Sequence, residues 1–300
     1  MRTKKTQKIL IGLVSVVLFL LGVLLMVYPK LSAIYSAKVQ TKIHTEYQEQ
    51  IQSPSYDLDA IKESAIAYNT RLARGELSVS SSEDVTGNGY WEELSIPGSS
   101  IMCYIRIPKI GVELPVYHGI GDDVLRAGCG HMPQSSLPIG GESTHTVLSG
   151  HSGLASAPMF SDLPLMEIGD RFYISVLGEE HCYEVVAIPA PVLPTDISTV
   201  KIQDGRDLCT LVTCVPFGVN THRLLVQGER VSDYVPVENE NDDSVPDATS
   251  ERHQDFSIYE SEYHRSIQIG LFIIAFFFLV FGGILLAVEK KRKADDSIEE

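Results

Sequence analysis

Residues 210–229 read TLVTCVPFGVNTHRLLVQGE, and the fold follows from how this stretch is parsed. Thr210 to Val215 is β-branched and apolar, the composition of a strand that ends on a cysteine and a valine. Pro216, Gly218 and Asn220 supply turn chemistry, and Arg223 to Val226 resumes as a second apolar strand. A cysteine where a strand runs into a turn is held by its backbone yet reaches solvent. If the two strands pair as a hairpin, Arg223 returns a permanent cation to the end of the strand that carries Cys214. A candidate nucleophile then stands beside a candidate oxyanion donor. The missing partner is an acid or base, and His151 in TVLSGHSG has the same strand-end setting.

Outward from this hairpin, short apolar runs recur at spacings that suit an all-β barrel. The predicted strands are Cys103 to Ile107, Val112 to Tyr117, Thr146 to His151, Arg171 to Val176, Cys182 to Ile188, Leu208 to Val215 and Arg223 to Gln227. Pro108, Gly111, Gly119, Gly140, Gly141, Gly153, Gly169 and Gly178 punctuate them, and Val124 to Ala127 and Pro158 to Leu163 are expected as short helices. Closing such a sheet on itself removes its edges. The expected catalytic barrel spans residues 90–231.

The flanks differ in composition. Residues 1–8 are basic, and 9–28 form an apolar run long enough to cross a bilayer. The run is longer than a signal-peptide core and no Ala-x-Ala cleavage site follows it, so it reads as a retained anchor. Residues 29–89 are a helical segment ending in a loop. Within it, Asp59 to Arg74 sets Ile61, Ala65, Tyr68 and Leu72 on one face, and Gly75 to Gly89 is Ser-rich and reads as flexible. After the barrel, residues 232–266 are an acidic linker with Glu238, Glu240, Asp242, Asp243 and Asp247. A second apolar run, 267–288, leads into a tail, 289–300, that opens with Lys290, Lys291, Arg292 and Lys293. Basic residues on the outer side of both runs place both termini in the cytoplasm and the barrel outside the cell membrane.

A net charge of −15 and a pI near 5.0 exclude nucleic acid as a partner, because its backbone requires a cationic face. Five cysteines are odd in number and scattered, and no Cys/His spacing suits zinc. The sequence implies neither a metal nor a cofactor.

Among the cysteines, Cys103, Cys182 and Cys209 sit inside apolar strand patterns and read as small core hydrophobes. Cys209 is an odd number of positions from Cys214, so a regular strand sends the two thiols to opposite faces. Cys129, between two glycines, reads as more exposed and is the rival to Cys214. Among the histidines, His118 in VYHG also ends a strand and rivals His151, while His145 lies far along the strand that leads to His151. Arg223 has a plainer alternative, a surface ion pair with Glu229 or Glu184.

TLVTC, its Pro-aromatic-Gly turn and NTHRLLV resemble the active-site signature of the sortases, cysteine transpeptidases of Gram-positive cell surfaces. YIRIPKIGVELPVYHG, GHMPQSSLPIGGESTHTVLSGHSG and FSDLPLMEIGD extend the resemblance, which is strongest to the pilus-assembling class C branch. It implies an eight-stranded closed barrel with short helices, here flanked by the two transmembrane helices that the apolar runs predict. It also selects Cys214 as nucleophile, His151 as general acid/base and Arg223 as the group that stabilises oxyanion or substrate. The implied substrates are LPXTG-like surface proteins or pilins, with an amine acceptor on a pilin lysine or a cell-wall precursor. Class C relatives carry an Asp-Pro-aromatic lid, but here Asp84 is followed by Val85 and Thr86, so a lid of that kind is not expected. Two alternatives stand beside it: a membrane-bound cysteine protease, which uses the same three residues and lets water resolve the acyl-enzyme, and a non-enzymatic surface binding module whose thiol is structural.

Overall fold

The computed structural model describes residues 17, 22–24, 27–28, 45, 47–51, 56–79, 82–152, 159–196, 198–216 and 218–235. The chain divides into two compact units, Met1–Glu238 and Asn239–Glu300, the second lying outside the described residues. No helix among the described residues is long and apolar enough to cross a membrane. Of the run 9–28 only a few positions are described; the run 267–288, the basic tail and nearly all of the acidic linker lie outside.

Eight strands close into a barrel: β1 (Ile101–Ile107), β2 (Val112–His118), β3 (Cys129–His131), β4 (Thr144–Ser149), β5 (Arg171–Val176), β6 (Glu179–Ala187), β7 (Asp207–Val215) and β8 (His222–Arg230). Their order around the barrel is β1-β2-β3-β4-β7-β8-β6-β5, and β5 pairs back onto β1. Most neighbours are antiparallel, but β2 with β3 and β4 with β7 are parallel. The mainly-β closed barrel expected from the sequence is therefore what forms.

Alternation along each strand fills the interior. Cys103, Ile105, Leu148, Phe172, Ile174, Cys209, Leu211, Leu224 and Val226 belong to one buried core. Phe172 and Tyr183 stack inside it with ring centroids 5.5 Å apart. A side chain at position 228 would meet the Phe172 ring at 2.5 Å, so the backbone of β8 needs glycine there.

Several expectations require correction. β3, three residues directly after Gly128 with Gly130 at their centre, was not among the predicted strands. Cys129 is not exposed: it lies in β3 with no accessible surface, and burial drives its thiol pKa upward. β4 stops at Ser149, so His151 lies just past the strand. Residues 159–162 turn, and only Leu163–Leu165 forms a short 3-10 helix where a longer helix was expected. The Ser-rich stretch is not loop throughout, because Ser82–Gly87 forms a helical turn, α2, whose Val85 is buried in the main core.

Helix α1 (Leu58–Ala73) starts where Asp57 Oδ1 accepts the Ala60 N–H at 3.0 Å. It buries Ala65, Tyr68, Asn69 and Leu72 against the barrel core. Asn69 is the polar tie: its Nδ2 donates to the Leu137 carbonyl at 3.1 Å and its Oδ1 accepts the Leu137 N–H at 2.7 Å. Beyond α2, Tyr90 ties the same arm to β2 and β3. Its hydroxyl accepts the Gly119 N–H at 3.1 Å and lies 2.9 Å from His131 Nδ1. His131 Nε2 donates to the Ser136 carbonyl at 2.8 Å, so Nδ1 is the accepting nitrogen of a neutral ring.

Candidate active site

β7 alternates between an inner and an outer face. Cys209 and Leu211 point into the barrel core, whereas Val212 packs outside with Val147 of β4 and Leu225 of β8. Met132, Val192 and Val200 pack against that outer patch. Cys214 follows Val212 by two residues and so shares the outer face, where it is partly exposed. Cys209 and Cys214 do lie on opposite faces of the sheet.

The β7–β8 register pairs Cys214 directly with Arg223. Opposed residues in an antiparallel pair project to the same side, with Cβ atoms about 4.5–5.5 Å apart. Arg223 is fixed along its backbone from both edges. On the side away from β7 it forms an antiparallel bridge with Val192, its N–H donating to the Val192 carbonyl at 2.8 Å and its carbonyl accepting from Val192 at 3.0 Å. In this state Nη1 caps the turn, donating to the carbonyls of Asn220 and His222 at 3.1 Å each. Glu229 and Glu184, weighed above as its partners, are engaged by Arg206 and Arg171.

His151 approaches from the other side. β4 and β7 run parallel with Ser149 opposite Val212, and the ladder continues as Gly150 donates to the Val212 carbonyl at 3.0 Å. The Thr213 hydroxyl donates to the Gly150 carbonyl at 3.0 Å. His151 therefore stands two residues beyond Ser149, as Cys214 stands two beyond Val212. The His151 carbonyl accepts the Phe160 N–H at 3.0 Å, and the Phe160 ring lies so close to Gly150 that a Cβ there would sit 2.6 Å from it. Cys214 and Arg223 thus stand opposite each other at the ends of β7 and β8, and His151 lies just past the adjoining end of β4.

The other candidates are placed elsewhere. The His145 ring bonds to the Lys201 carbonyl at 2.8 Å and the Thr210 hydroxyl at 2.7 Å, inside the fold. His118 Nε2 donates to the Glu93 carbonyl at 2.8 Å, and burial lowers its pKa. Cys103 and Cys209 are fully buried with thiol pKa values pushed well up. Among the described residues no three His, Cys, Asp or Glu side chains converge to hold a metal ion.

One neighbour was not anticipated. Asp122 opens α3 (Asp122–Ala127), between β2 and β3, and its Oδ1 lies 3.6 Å from His151 Nε2. Acidic residues at a helix start are visible in the sequence, but nothing there shows that they face a histidine almost thirty positions away.

Chemically, a thiol at a strand end, an imidazole just past the adjoining strand and a guanidinium in register opposite are the group types that can supply acyl transfer with a nucleophile, a proton carrier and an anion stabiliser. Comparison with known proteins agrees. Residues 105–231 match the sortase domain model. The chain is 28% identical over 137 residues to sortase A of Bacillus anthracis, a match covering 46% of this chain and 63% of that protein. The structure resembles that of sortase C1 from Streptococcus agalactiae with a TM-score of 0.59 and 41% identity, covering 63% of this chain and 98% of that one. It also resembles Clostridium perfringens sortase C, solved with its C-terminal cell wall sorting motif, at a TM-score of 0.55 and 36% identity, over 64% of this chain and 98% of that one.

Proposed function

Because the chain belongs to the sortase family, we propose that it is a membrane-anchored cysteine transpeptidase that cleaves an LPXTG-like sorting signal and joins it to an amine. The observation that carries this reading is the direct pairing of Cys214 with Arg223, with His151 at the adjoining end of β4.

In the first step the Cys214 thiolate attacks the carbonyl of the scissile peptide bond. Negative charge moves onto that carbonyl oxygen, where the Arg223 guanidinium stabilises it. Among the described residues only Nη1 is committed, to the turn carbonyls, which leaves the rest of the five-donor fork for substrate. His151 delivers a proton to the departing amine as the tetrahedral adduct collapses to a thioester. In the second step an incoming amine gives a proton to His151 and attacks the thioester carbonyl. The new amide forms and the Cys214 thiolate leaves.

Two features support the choice of substrates. The resemblance to class C structures, one of them solved with a sorting motif, favours a sorting-signal substrate, and a pilin lysine is the acceptor that the resemblance to the pilus-assembling branch implies. The apolar runs 9–28 and 267–288 with their basic outer flanks favour two membrane spans, cytoplasmic termini and an extracellular barrel. Confining enzyme and membrane-held substrates to one surface raises their effective concentration.

The test uses the full-length chain in detergent with a quenched LPXTG peptide and an amine acceptor, followed by mass spectrometry. An amine adduct that disappears in Cys214→Ala is expected. Hydrolysis without adduct would assign a protease, and turnover unchanged in Cys214→Ala would overturn the reading.

A further inference from the structure

We propose that Asp122 is a positioning residue for His151, fixing which imidazole nitrogen exchanges protons with the reacting amines. The proposal rests on the acyl-transfer reading above. Asp122 Oδ1 stands 3.6 Å from Nε2 of His151, while Oδ2 is held by Nη2 of Arg126 at 2.6 Å. One carboxylate oxygen is thus anchored one helical turn away, and the other is turned to the imidazole.

Both partners are held by close backbone approach. On the helix side, a Cβ at Gly130 would lie 2.3 Å from the Gly119 carbonyl and 3.2 Å from Leu125, and one at Gly128 would lie 2.5 Å from the Pro115 carbonyl. These glycines let β3 and α3 settle against β2, which places the first residue of α3. On the histidine side, Phe160 seals Gly150 and bonds the His151 carbonyl. The backbones of both residues are thus set by close packing, while the Asp122 side chain itself is 68% exposed.

A carboxylate facing Nε2 favours the tautomer protonated there and steadies the imidazolium. Nδ1 is then the nitrogen that gives its proton to the leaving amine and takes one from the acceptor. A histidine oriented by a carboxylate on its far nitrogen is a general device of acid-base sites. At the His151 end, the elements around it carry Asp122, Asp123 and Arg126 of α3, His131 of β3, Asp162 in the turn after Phe160, Cys214 of β7, and His222 and Arg223 of β8; His145, Asp207, Cys209, Glu229 and Arg230 lie further along β4, β7 and β8. Asp122 is the acid found in contact with the ring.

The experiment uses the full-length chain in detergent and compares wild type, Asp122→Asn and Asp122→Glu by two readouts. The first is the rate of Cys214 alkylation by iodoacetamide against pH, which needs no substrate. The second is kcat and KM for peptide transfer. Asp122→Asn should displace the pH profile of Cys214 alkylation, which follows thiolate formation, and lower kcat about tenfold with little change in KM, and Asp122→Glu should restore part of the loss. Superimposable alkylation profiles, or a loss carried by KM alone, would overturn the proposal. A shifted alkylation profile in a chain whose wild type transfers no peptide would uphold the Asp122–His151 pairing and sink the transpeptidase reading instead.

Discussion

Cys214 and Arg223 are direct partners in the β7–β8 ladder, and Val192 bonds the other edge of Arg223. The Arg223 backbone is therefore set by β7 on one side and the Val192 bridge on the other, and its side chain shares a face with the thiol. If its role is to hold the developing oxyanion, Arg223→Ala should lower kcat/KM by about 10²–10³ with the melting temperature unchanged. Arg223→Lys keeps the charge but loses the planar fork, and should recover only part of the rate. Steady-state kinetics on the two variants checks this, and an Arg223→Ala enzyme of full activity would remove Arg223 from the mechanism.

Only one of the five thiols should react in the native state. Cys103, Cys129 and Cys209 are sealed in the barrel core, where burial opposes the thiolate, and Cys182 is also buried with its pKa raised. Titration with a thiol-reactive disulfide should give one fast equivalent, lost in Cys214→Ala, and five after unfolding in guanidinium. Two fast equivalents in the folded protein would return Cys129 to candidacy.

The hairpin was legible because β-branched residues, turn residues and a returning apolar run occur in order within twenty positions. The same rules failed at Cys129. Glycines on either side suggested exposure, yet Gly128 and Gly130 are present because their backbones touch Pro115, Gly119 and Leu125. Glycine here marks close approach, and a strand of three residues has too little pattern to announce itself. The helical turn at Ser82–Gly87 was hidden for a related reason. Its one buried apolar residue, Val85, finds its partners in the distant barrel core. The contact of Asp122 with His151 depends on how α3 lies over the sheet, which composition does not encode.

Gly150 should tolerate no side chain. A Cβ there would stand 2.6–2.7 Å from the buried Phe160 ring, so Gly150→Ala must displace the ring or β4. The overpacking should cost about 1–3 kcal/mol. Because His151 is the next residue, kcat should fall by about 10² through misplacement. Thermal melts and single-turnover kinetics measure the two effects separately, and an unperturbed kcat would show that His151 is placed independently of Phe160.

His131 makes stability depend on pH. Burial lowers its pKa to about 4, and the ring is used as a neutral donor and acceptor between Ser136 and Tyr90. Its folded value lies below its unfolded value near 6.5, so the unfolded chain binds the extra proton in between. The stabilisation is complete above about pH 6.5 and is lost as pH falls toward 4, up to about 3 kcal/mol. Glu93, Asp162 and Asp207, whose carboxyl pKa values burial raises, act in the opposite sense at the acidic end. Comparison with His131→Gln isolates the histidine. In urea denaturation the gap between the two proteins should narrow steadily from pH 7 to pH 4, and a constant gap would contradict a buried neutral ring.

Asn69 joins α1 to the barrel through a two-way bond with the Leu137 backbone. The Leu137 carbonyl has a second donor in the Thr146 hydroxyl at 3.2 Å, whereas Asn69 Oδ1 is the acceptor of the Leu137 N–H. Asn69→Ala therefore orphans a buried donor, which costs about 1–3 kcal/mol. Thr146→Val leaves the Leu137 carbonyl with Asn69 and should cost less. The urea midpoint should fall in that order, with the slope unchanged if α1 stays docked. A reduced slope in Asn69→Ala would mean that α1 already stands free of the barrel in the variant, making this amide the contact on which the docking of the N-terminal arm depends.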